Sequence, residues 1–351
     1  MLVSIIVITY NSSKYIIETL ESCYRQTQKR VFSPSLNNAE SEFSAFPTPR
    51  EENVFYIPNN GHLSIELIIS DDCSKDDTFL KCKQWLKTHS DRFSRTICTQ
   101  TPHNGGICWN YNHALKYVKG DYIKYIAGDD ILKPNCIERY IVNLQPDAFL
   151  YTCVTERLCE DGSKRYFSVY SENTTAKEQL RNLLNNRYII EGSTIFIERE
   201  HLSEYGGFDL QYPMLEDYPL IYKFLSHNQR FYVVEENLVT WRCYQESVSH
   251  SNSQFNSQFN EDFMRSHRFY HIMNCLKYGY LFQWYNSWLE RWIIAHKNKG
   301  ALYRFLGYFF RCFDVNRLKG KLFSSTPFCF HKEWEKDENG NLHFLQVKPI
   351  S

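Results

Sequence analysis

The stretch YIKYIAGDDIL, residues 122–132, decides how the rest of the chain is interpreted. It is apolar apart from Lys124 until it reaches Asp129 and Asp130, so it is typical of a buried strand that ends on two carboxyl groups. Hard cations such as Mg²⁺ and Mn²⁺ take one or two carboxylates and complete their coordination with phosphate and water oxygens. The pair therefore predicts a metal–phosphate site, whereas a single Asp in a turn before a helix at Pro134 would need no ligand.

Short apolar runs alternate with amphipathic helical patterns through the first 155 residues. The runs LVSIIVIT, IELIIS, RTICT and YIKYIA predict strands. Helices are predicted over 13–26, from Ser74 with Asp77 in a capping box, and over ICWNYNHALKYV. This alternation is typical of an α/β fold, a mostly parallel Rossmann-like sheet flanked by helices. Ligands of such sheets bind at the carboxyl ends of the strands, where the clusters TYN, SDD and GDD all lie.

Composition divides the chain further. Residues 29–63 hold four prolines and many Ser and Asn, which indicates a long insertion, either mobile or ordered as a flap over the site. After 155 the pattern changes to a hairpin that turns at Asp161-Gly162, followed by helices and the strand STIFIE. Beyond 261 the sequence predicts a helical, aromatic and basic C-terminal region. The predicted units are 1–155, 156–261 and 262–351.

The last region carries a strong positive charge. Residues 265–321 hold eleven Lys and Arg against two acids, in a chain that has 40 basic and 40 acidic residues. Trp284, Trp288 and Trp292 recur every four residues and therefore share one helix face. That face either packs on the domain or makes a peripheral contact with an anionic membrane.

The overall balance of charge provides no field that would favour nucleic acid as a partner. The twelve cysteines are scattered without a C-x-x-C pair, and MLVSIIVITYNS has no basic start typical of a secretion signal. We therefore expect reduced thiols in a cytoplasmic protein. No stretch reaches the ~18 uncharged apolar residues that a membrane span requires.

Six motifs occur in an order that resembles family 2 glycosyltransferases of the GT-A fold: SIIVITYN, ELIISDDCSKDDT, NGGICWNYNHAL, GDYIKYIAGDD, GGFD and LEDY. The resemblance covers residues 2–250, apart from the 29–63 insertion. It implies a nucleotide-sugar-binding half, an acceptor half, a divalent metal (Mn²⁺ or Mg²⁺) held by an acid cluster, and transfer of one sugar with inversion. The implied donor is a UDP-sugar. The implied acceptor is a glycan, such as a lipid-linked O-antigen or capsule repeat unit.

Site residues follow from the resemblance position by position. The residues that it places at the nucleotide sugar are Thr9, Tyr10, Asn11, Asp71, Asp72, Ser74, Asn112, Asp129 and Arg242. Those that it places at the metal are Asp130, Asp129 and His250, and those that it places near the acceptor are Glu216 and Asp217. Within these sets, Asp71 matches the acid that hydrogen-bonds uracil. Asp217 is favoured as the base that takes the acceptor proton.

Two departures from the family pattern matter. Ala127 stands where the pattern has Asp, so the acid cluster starts two residues late. Tyr111 stands where the pattern often has Arg, which removes a positive phosphate partner. Arg242 or His250 could compensate, since a late histidine serves as a metal or phosphate contact in some relatives.

Simpler interpretations of the same residues stay open. The acids of SDDCSKDD and LEDY are also typical of helix starts, where carboxylates interact favourably with the helix dipole. Two other functions fit the acid pairs: a nucleotidyltransferase that uses them for two-metal chemistry, and a non-catalytic sugar-nucleotide-binding subunit. A mere binder has no use for an acceptor base such as Asp217, which favours the glycosyltransferase.

Overall fold

A computed structural model of the chain describes residues 1–26, 63–169, 174–184, 190–244, 254–277, 330–337 and 340–349, with isolated positions between 279 and 292. The predicted insertion lies outside the described residues except for Leu63 at its end. His250 lies outside them as well.

Four parallel strands form the half of the sheet that contains the acid pair. They are β1 (Leu2–Thr9), β2 (Ser64–Asp71), β3 (Arg95–Gln100) and β4 (Tyr122–Ala127), in the spatial order β3-β2-β1-β4. Thr9 pairs with Asp71, and Ile8 pairs with Ala127, so three of these strands end at the same edge. The predicted parallel α/β sheet is confirmed, and TYN, SDD and GDD meet at that edge.

The helices that connect these strands are α1 (Ile16–Tyr24), α2 (Thr78–His89) and α3 (Ile107–Leu115). The capping box predicted from Ser74 is wrong, because α2 begins only at Thr78 and Asp77 makes no side-chain cap bond. Ser74 Oγ instead donates to Asp71 Oδ1 at 2.5 Å. Asp76 Oδ1 accepts a hydrogen bond from the Thr78 backbone N–H at 3.0 Å. Asp71 and Asp76 therefore accept hydrogen bonds from Ser74 and Thr78, and these bonds order the loop that precedes α2.

The second half of the sheet is mostly antiparallel. Its strands are β5 (Ile131–Leu132), β6 (Ala148–Cys159), β7 (Lys164–Val169), β8 (Phe196–Glu198) and β9 (Arg230–Cys243). β8 pairs antiparallel with both β4 and β6, and thereby joins the two halves. β6 and β7 form the predicted hairpin, and Gly162 in its turn has a φ of 79°. β9 pairs with β6 and with β5, so its end lies close to the acid pair.

Both faces of the sheet are covered by helices. The further helices are α4 (Cys136–Val142), α5 (Ala176–Leu184), α6 (Arg199–Glu204) and α7 (Asp217–Ser226). Successive residues of β1 point to opposite faces, so Ile6 belongs to one buried cluster and Ile5 to another. The first cluster includes residues of α3, α5 and α7, and the second includes residues of α1, α2 and α4. The sheet is therefore the middle layer of three.

The C-terminal region is helical only in part. α8 (Gln254–Ser266) begins before the predicted boundary at residue 262 and continues through a π-helical turn into α9 (Met273–Lys277). The helical region does not continue to residue 351, because β10 (Phe330–Lys336) and β11 (Leu342–Pro349) form an antiparallel hairpin. β10 pairs with β7 and extends the sheet. Among the described residues, no helix has the length and apolar character needed to cross a membrane.

Candidate active site

Asp129 and Asp130 follow β4 and are bound from the end of β9. Asp130 is 3% exposed, and its Oδ1 accepts a hydrogen bond from the Arg242 backbone N–H at 3.1 Å. Asp129 Oδ2 accepts from the Tyr244 hydroxyl at 2.7 Å. Burial raises the pKa of both carboxyl groups, and the charge of Asp129 raises the pKa of Asp130 further. Two carboxylates in this environment are stable as anions only beside positive charge.

Arg242 supplies part of that positive charge. Its guanidinium group counteracts the rise in the pKa of Asp129 that burial causes. The same group forms an ion pair with Glu18 at 2.5 Å and lies 4.9 Å from the centre of the Tyr15 ring. Tyr15 in turn packs against Tyr244, with 5.1 Å between the ring centres. The structure therefore brings Arg242 to the predicted site, where its charge is shared between two acids.

The acid pair fits a divalent cation by its chemistry. Hard cations prefer carboxylate oxygens, and the burial of Asp129 and Asp130 disfavours their charge without such a cation. In the part of the chain that the structure describes, no group of three His, Cys, Asp or Glu side chains is placed to hold an ion. A bound ion would therefore need further oxygen ligands from its substrate, as Mg²⁺ commonly takes from phosphates.

Asp71 and Asp72 lie at the end of β2 and organise the neighbouring loops. Asp71 is fully buried, and its Oδ2 accepts hydrogen bonds from the Ser74 backbone N–H and from Gln100 Nε2, both at 2.8 Å. Asp72 Oδ2 accepts from the Gly106 backbone N–H at 2.8 Å. These bonds fix the loops after β2 and β3. The contact predicted between Asp71 and a base would be additional to the bonds that Asp71 already makes.

Thr9, Tyr10 and Asn11 follow β1 and lie beside the Asp71 loop. Asn11 has a φ of 50°, a left-handed conformation that Asn adopts more readily than most residues. Its N–H donates to Ser74 Oγ, and its Oδ1 accepts from the Lys75 N–H, both at 2.8 Å. Tyr10 is partly exposed. The structure therefore places these predicted nucleotide-contacting residues together at the carboxyl edge.

Tyr111 and Asn112 pack α3 against the turn after α6. Tyr111 is 2% exposed, and its ring stacks on Phe208 with 4.9 Å between the ring centres. Asn112 Nδ2 donates to the Phe208 backbone oxygen at 2.8 Å, and its Oδ1 accepts from the Phe208 N–H at 2.9 Å. Gly207 has a φ of 74°, and a Cβ there would lie 2.6 Å from Asn112 Oδ1. The amide of Asn112 thus holds a turn in this structure.

Glu216 and Asp217 lie at the start of α7, and both are half-buried. Asp217 Oδ1 accepts a hydrogen bond from the Tyr218 N–H at 2.6 Å, which is typical of an acid at a helix start. Burial raises the pKa of Asp217 to about 6. Burial, together with the charge of Asp217, raises the pKa of Glu216 to about 8. A carboxyl group that exchanges its proton near neutral pH is suited to general acid–base chemistry.

Glu191 joins these acids, although the sequence analysis did not identify it. Burial, together with the charge of Asp217, raises its pKa to about 7. The charge of Glu191 also contributes, after burial and the charge of Asp129, to the raised pKa of Asp130. Glu191 is therefore close to both acid pairs. The sequence offered only a weak signal for it, an acid followed by glycine after the apolar run YII.

The central, mostly parallel sheet flanked by helices is that of a GT-A fold. The solved structure of S. aureus TarS residues 1–349 in complex with UDP-GlcNAc is similar to this chain, with a TM-score of 0.52 and 15% identity. The alignment covers 99% of this chain and 100% of that one. Residues 54–206 match the family model described as Glycosyl transferase family 2. The family-model match, the Rickettsia relatives and the TarS structures together support a family 2 glycosyltransferase of the GT-A fold.

Relatives with similar sequences carry glycosyltransferase names. An uncharacterized glycosyltransferase of Rickettsia typhi is 28% identical over 232 residues, which cover 64% of this chain and 58% of that protein. The Escherichia coli protein WfaP is 31% identical over 129 residues, which cover 37% of this chain and 36% of that protein. It is named UDP-Glc:alpha-D-GlcNAc-diphosphoundecaprenol beta-1,3-glucosyltransferase. The chain thus spans little more than half the length of the Rickettsia relative that it matches.

Proposed function

We propose that this chain is a metal-dependent glycosyltransferase that moves a sugar from a UDP-sugar to a hydroxyl group of a glycan. The observation that carries the proposal is the pair Asp129-Asp130 at the carboxyl edge of the parallel strands, where burial raises the pKa of both carboxyl groups. The match of residues 54–206 to the family model supports the reaction class. The UDP-GlcNAc bound to TarS and the UDP-Glc in the name of WfaP support a UDP-sugar donor.

Donor binding uses the carboxyl edge of the sheet. The segments 9–11 and 71–74 contact the nucleotide, and Asp129 and Asp130 would hold Mn²⁺ or Mg²⁺. When bound, the ion neutralises the negative charge that develops on the leaving diphosphate. Arg242 lies beside Asp129 and adds a fixed positive charge for the same diphosphate.

Asp217 takes the proton of the acceptor hydroxyl. Its pKa of about 6 leaves it ionised at pH 7 and makes it a stronger base than an ordinary Asp. Glu216, with a pKa of about 8, holds its own proton at pH 7 and does not compete for the role. The two neighbours therefore have different protonation states at neutral pH, and this difference favours Asp217 as the base.

Inversion follows from a single displacement. The acceptor oxygen forms a bond to C1 of the sugar while the bond from C1 to the diphosphate oxygen breaks, and the proton passes to Asp217. Attack from the face opposite to the leaving group inverts the configuration at C1. The retaining double displacement requires a carboxylate that attacks C1 itself, and this scheme assigns no residue to that role.

The acceptor is proposed to be a lipid-linked glycan, such as an O-antigen or capsule repeat unit. The name of WfaP describes a diphosphoundecaprenol-linked acceptor. The C-terminal region of this chain exposes several apolar side chains within or next to the basic segment, namely Phe269 at 62%, Met273 at 58% and Leu281 at 62%. Apolar side chains surrounded by Lys and Arg favour contact with an anionic membrane surface, here the inner face of the cell membrane.

The test is a transfer assay with defined donors. The chain is incubated with UDP-glucose, UDP-galactose or UDP-GlcNAc, with and without Mn²⁺, and with a diphosphoundecaprenol-linked GlcNAc acceptor. We expect Mn²⁺-dependent release of UDP and a product whose NMR spectrum shows the inverted anomeric configuration. A retained configuration contradicts the mechanism. Release of pyrophosphate from a sugar phosphate and a nucleoside triphosphate, without UDP release, identifies a nucleotidyltransferase instead.

A further inference from the structure

The turn at residues 191–195 is held firmly beside the acids of the site. Lys124, which is fully buried on β4, donates from Nζ to the backbone oxygen of Ser193. The Tyr140 hydroxyl donates to the backbone oxygen of Thr194 at 2.5 Å. These buried bonds join the turn to β4 and to α4. The first residue of the turn therefore has a fixed place relative to the strand that ends at the acid pair.

The side chain of that first residue, Glu191, has one oxygen unused. Thr155 donates to its carboxyl group, and Arg157 also counteracts the rise in its pKa that burial causes. Its Oε2 is nevertheless buried and has no hydrogen-bond partner within the described residues. The adjacent Gly192 packs so closely on Glu216 Oε1 that any Cβ would collide with it. A buried carboxyl oxygen costs free energy unless a donor completes its bonding.

Glu191 lies near both acid pairs, because its charge acts on Asp130 and the adjacent Gly192 packs on Glu216. This position identifies the class of ligand. If the proposed function, on which this inference rests, is correct, the diphosphate lies at Asp130 and the acceptor at Asp217. The transferred sugar then lies between them. We propose that Glu191 accepts a hydrogen bond from a hydroxyl group of the transferred sugar and thereby selects among donors. A site built to bind a hydroxyl group discriminates strongly against a substrate that cannot offer it.

Calorimetric titration in the presence of Mn²⁺ tests this role, with UDP, UDP-glucose, UDP-galactose and UDP-GlcNAc as probes. In Glu191→Ala, we expect affinity for UDP to be unchanged. Affinity for the sugar nucleotide that the wild type binds best should fall about 10- to 100-fold, the effect of losing a buried hydrogen bond. The differences in affinity among the three sugar nucleotides should become smaller. Glu191→Gln keeps an oxygen acceptor and should retain part of the affinity.

Glu160→Ala, at an exposed position, is the matched control and should behave as the wild type. If Glu191→Ala unfolds, the comparison between UDP and the sugar nucleotides is made with Glu191→Gln. An equal loss for UDP and the sugar nucleotides, or no loss for either, overturns the role of Glu191 and leaves the proposed function standing. A wild-type chain that binds none of the four probes overturns the proposed function, and this inference with it.

Discussion

The protonation state of each acid decides the chemistry at the residue scale. Burial holds the pKa of Asp217 at about 6, so Asp217 is ionised at pH 7. Asp217→Asn keeps the shape of the side chain but cannot accept the proton of the acceptor hydroxyl. Turnover should fall about 10²- to 10⁴-fold, which corresponds to about 3–5 kcal/mol of barrier. Donor affinity, measured by calorimetry, should change little, because the residues proposed to bind the diphosphate and its metal are Asp129, Asp130 and Arg242.

Glu216→Gln is the matched control for that substitution. Glu216 is protonated at pH 7 because its pKa is about 8, and Gln imitates the protonated form. The effect on turnover should therefore be small. If Glu216→Gln is the more damaging change, the two roles are exchanged. Near wild-type turnover in both variants would mean that these acids serve only the start of α7.

The same raised pKa values predict how stability depends on pH. Glu216 holds its proton in the folded chain up to about pH 8, whereas the unfolded chain releases it near the ordinary Glu pKa of about 4.3. The contribution of this proton to the free energy of unfolding is therefore complete below the pKa of Glu216 in the unfolded chain. It is lost as the pH rises towards 8. Without metal or nucleotide, the unfolding temperature should be lower at pH 8 than at pH 5.

Thermal unfolding of Glu216→Gln provides the comparison. Gln cannot ionise, so the decrease in unfolding temperature between pH 5 and pH 8 should be smaller in this variant. The same decrease in both proteins would show that Glu216 does not titrate as its burial implies.

At the scale of secondary-structure elements, Lys124 holds β4 and the 191–195 turn together. Its Nζ donates to three backbone oxygens, those of Tyr125, Ser193 and Ile195, and so ties β4 to the 191–195 turn. Lys124→Met should destabilise the fold by about 1–3 kcal/mol, because buried carbonyl groups lose a donor. Lys87→Met, at an exposed position of α2, should have little effect. Equal unfolding free energies for the two variants, from denaturant titration, would contradict this role.

The strands at the acid edge could be predicted, because β1, β2 and β4 are continuous apolar runs that stop at polar residues. The hairpin of β10 and β11 is not predicted, because the aromatic and basic composition of residues 262–351 favours one helical region. The local signal for the hairpin is Gly340, which has a φ of 86° in the turn.

The sequence locates residues of the candidate site only where a polar side chain follows a strand end or begins a helix. Asp129, Asp130 and Asp217 are of this kind. Glu191 is not, because its proposed role depends on the packing of Gly192 and on distant donors such as Lys124. The extra bonds of Asp71, Asp72 and Asn112 were also beyond sequence reasoning, since their partners come from other loops.

At the scale of the whole molecule, two of the tryptophans predicted to share one helix face lie in different environments. Trp284 is half-buried and packs against a buried cluster, whereas Trp288 is 39% exposed. Trp284→Ser should lower the unfolding temperature. Trp288→Ser should keep it and instead weaken sedimentation with phosphatidylglycerol vesicles at low salt, because an aromatic membrane contact is lost. A wild-type chain that ignores such vesicles would contradict the proposed membrane contact.

The central claim is that Asp129 and Asp130 hold a divalent cation that binds the nucleotide diphosphate. Calorimetric titration of UDP-GlcNAc into the wild type and into Asp130→Asn, each with Mn²⁺ and with EDTA, tests it most directly. We predict that Mn²⁺ strengthens binding to the wild type. In Asp130→Asn the metal dependence should disappear, while the unfolding temperature is kept because Asn leaves no buried charge. Equal wild-type affinity in Mn²⁺ and EDTA, or an unchanged metal dependence in Asp130→Asn, would contradict the claim.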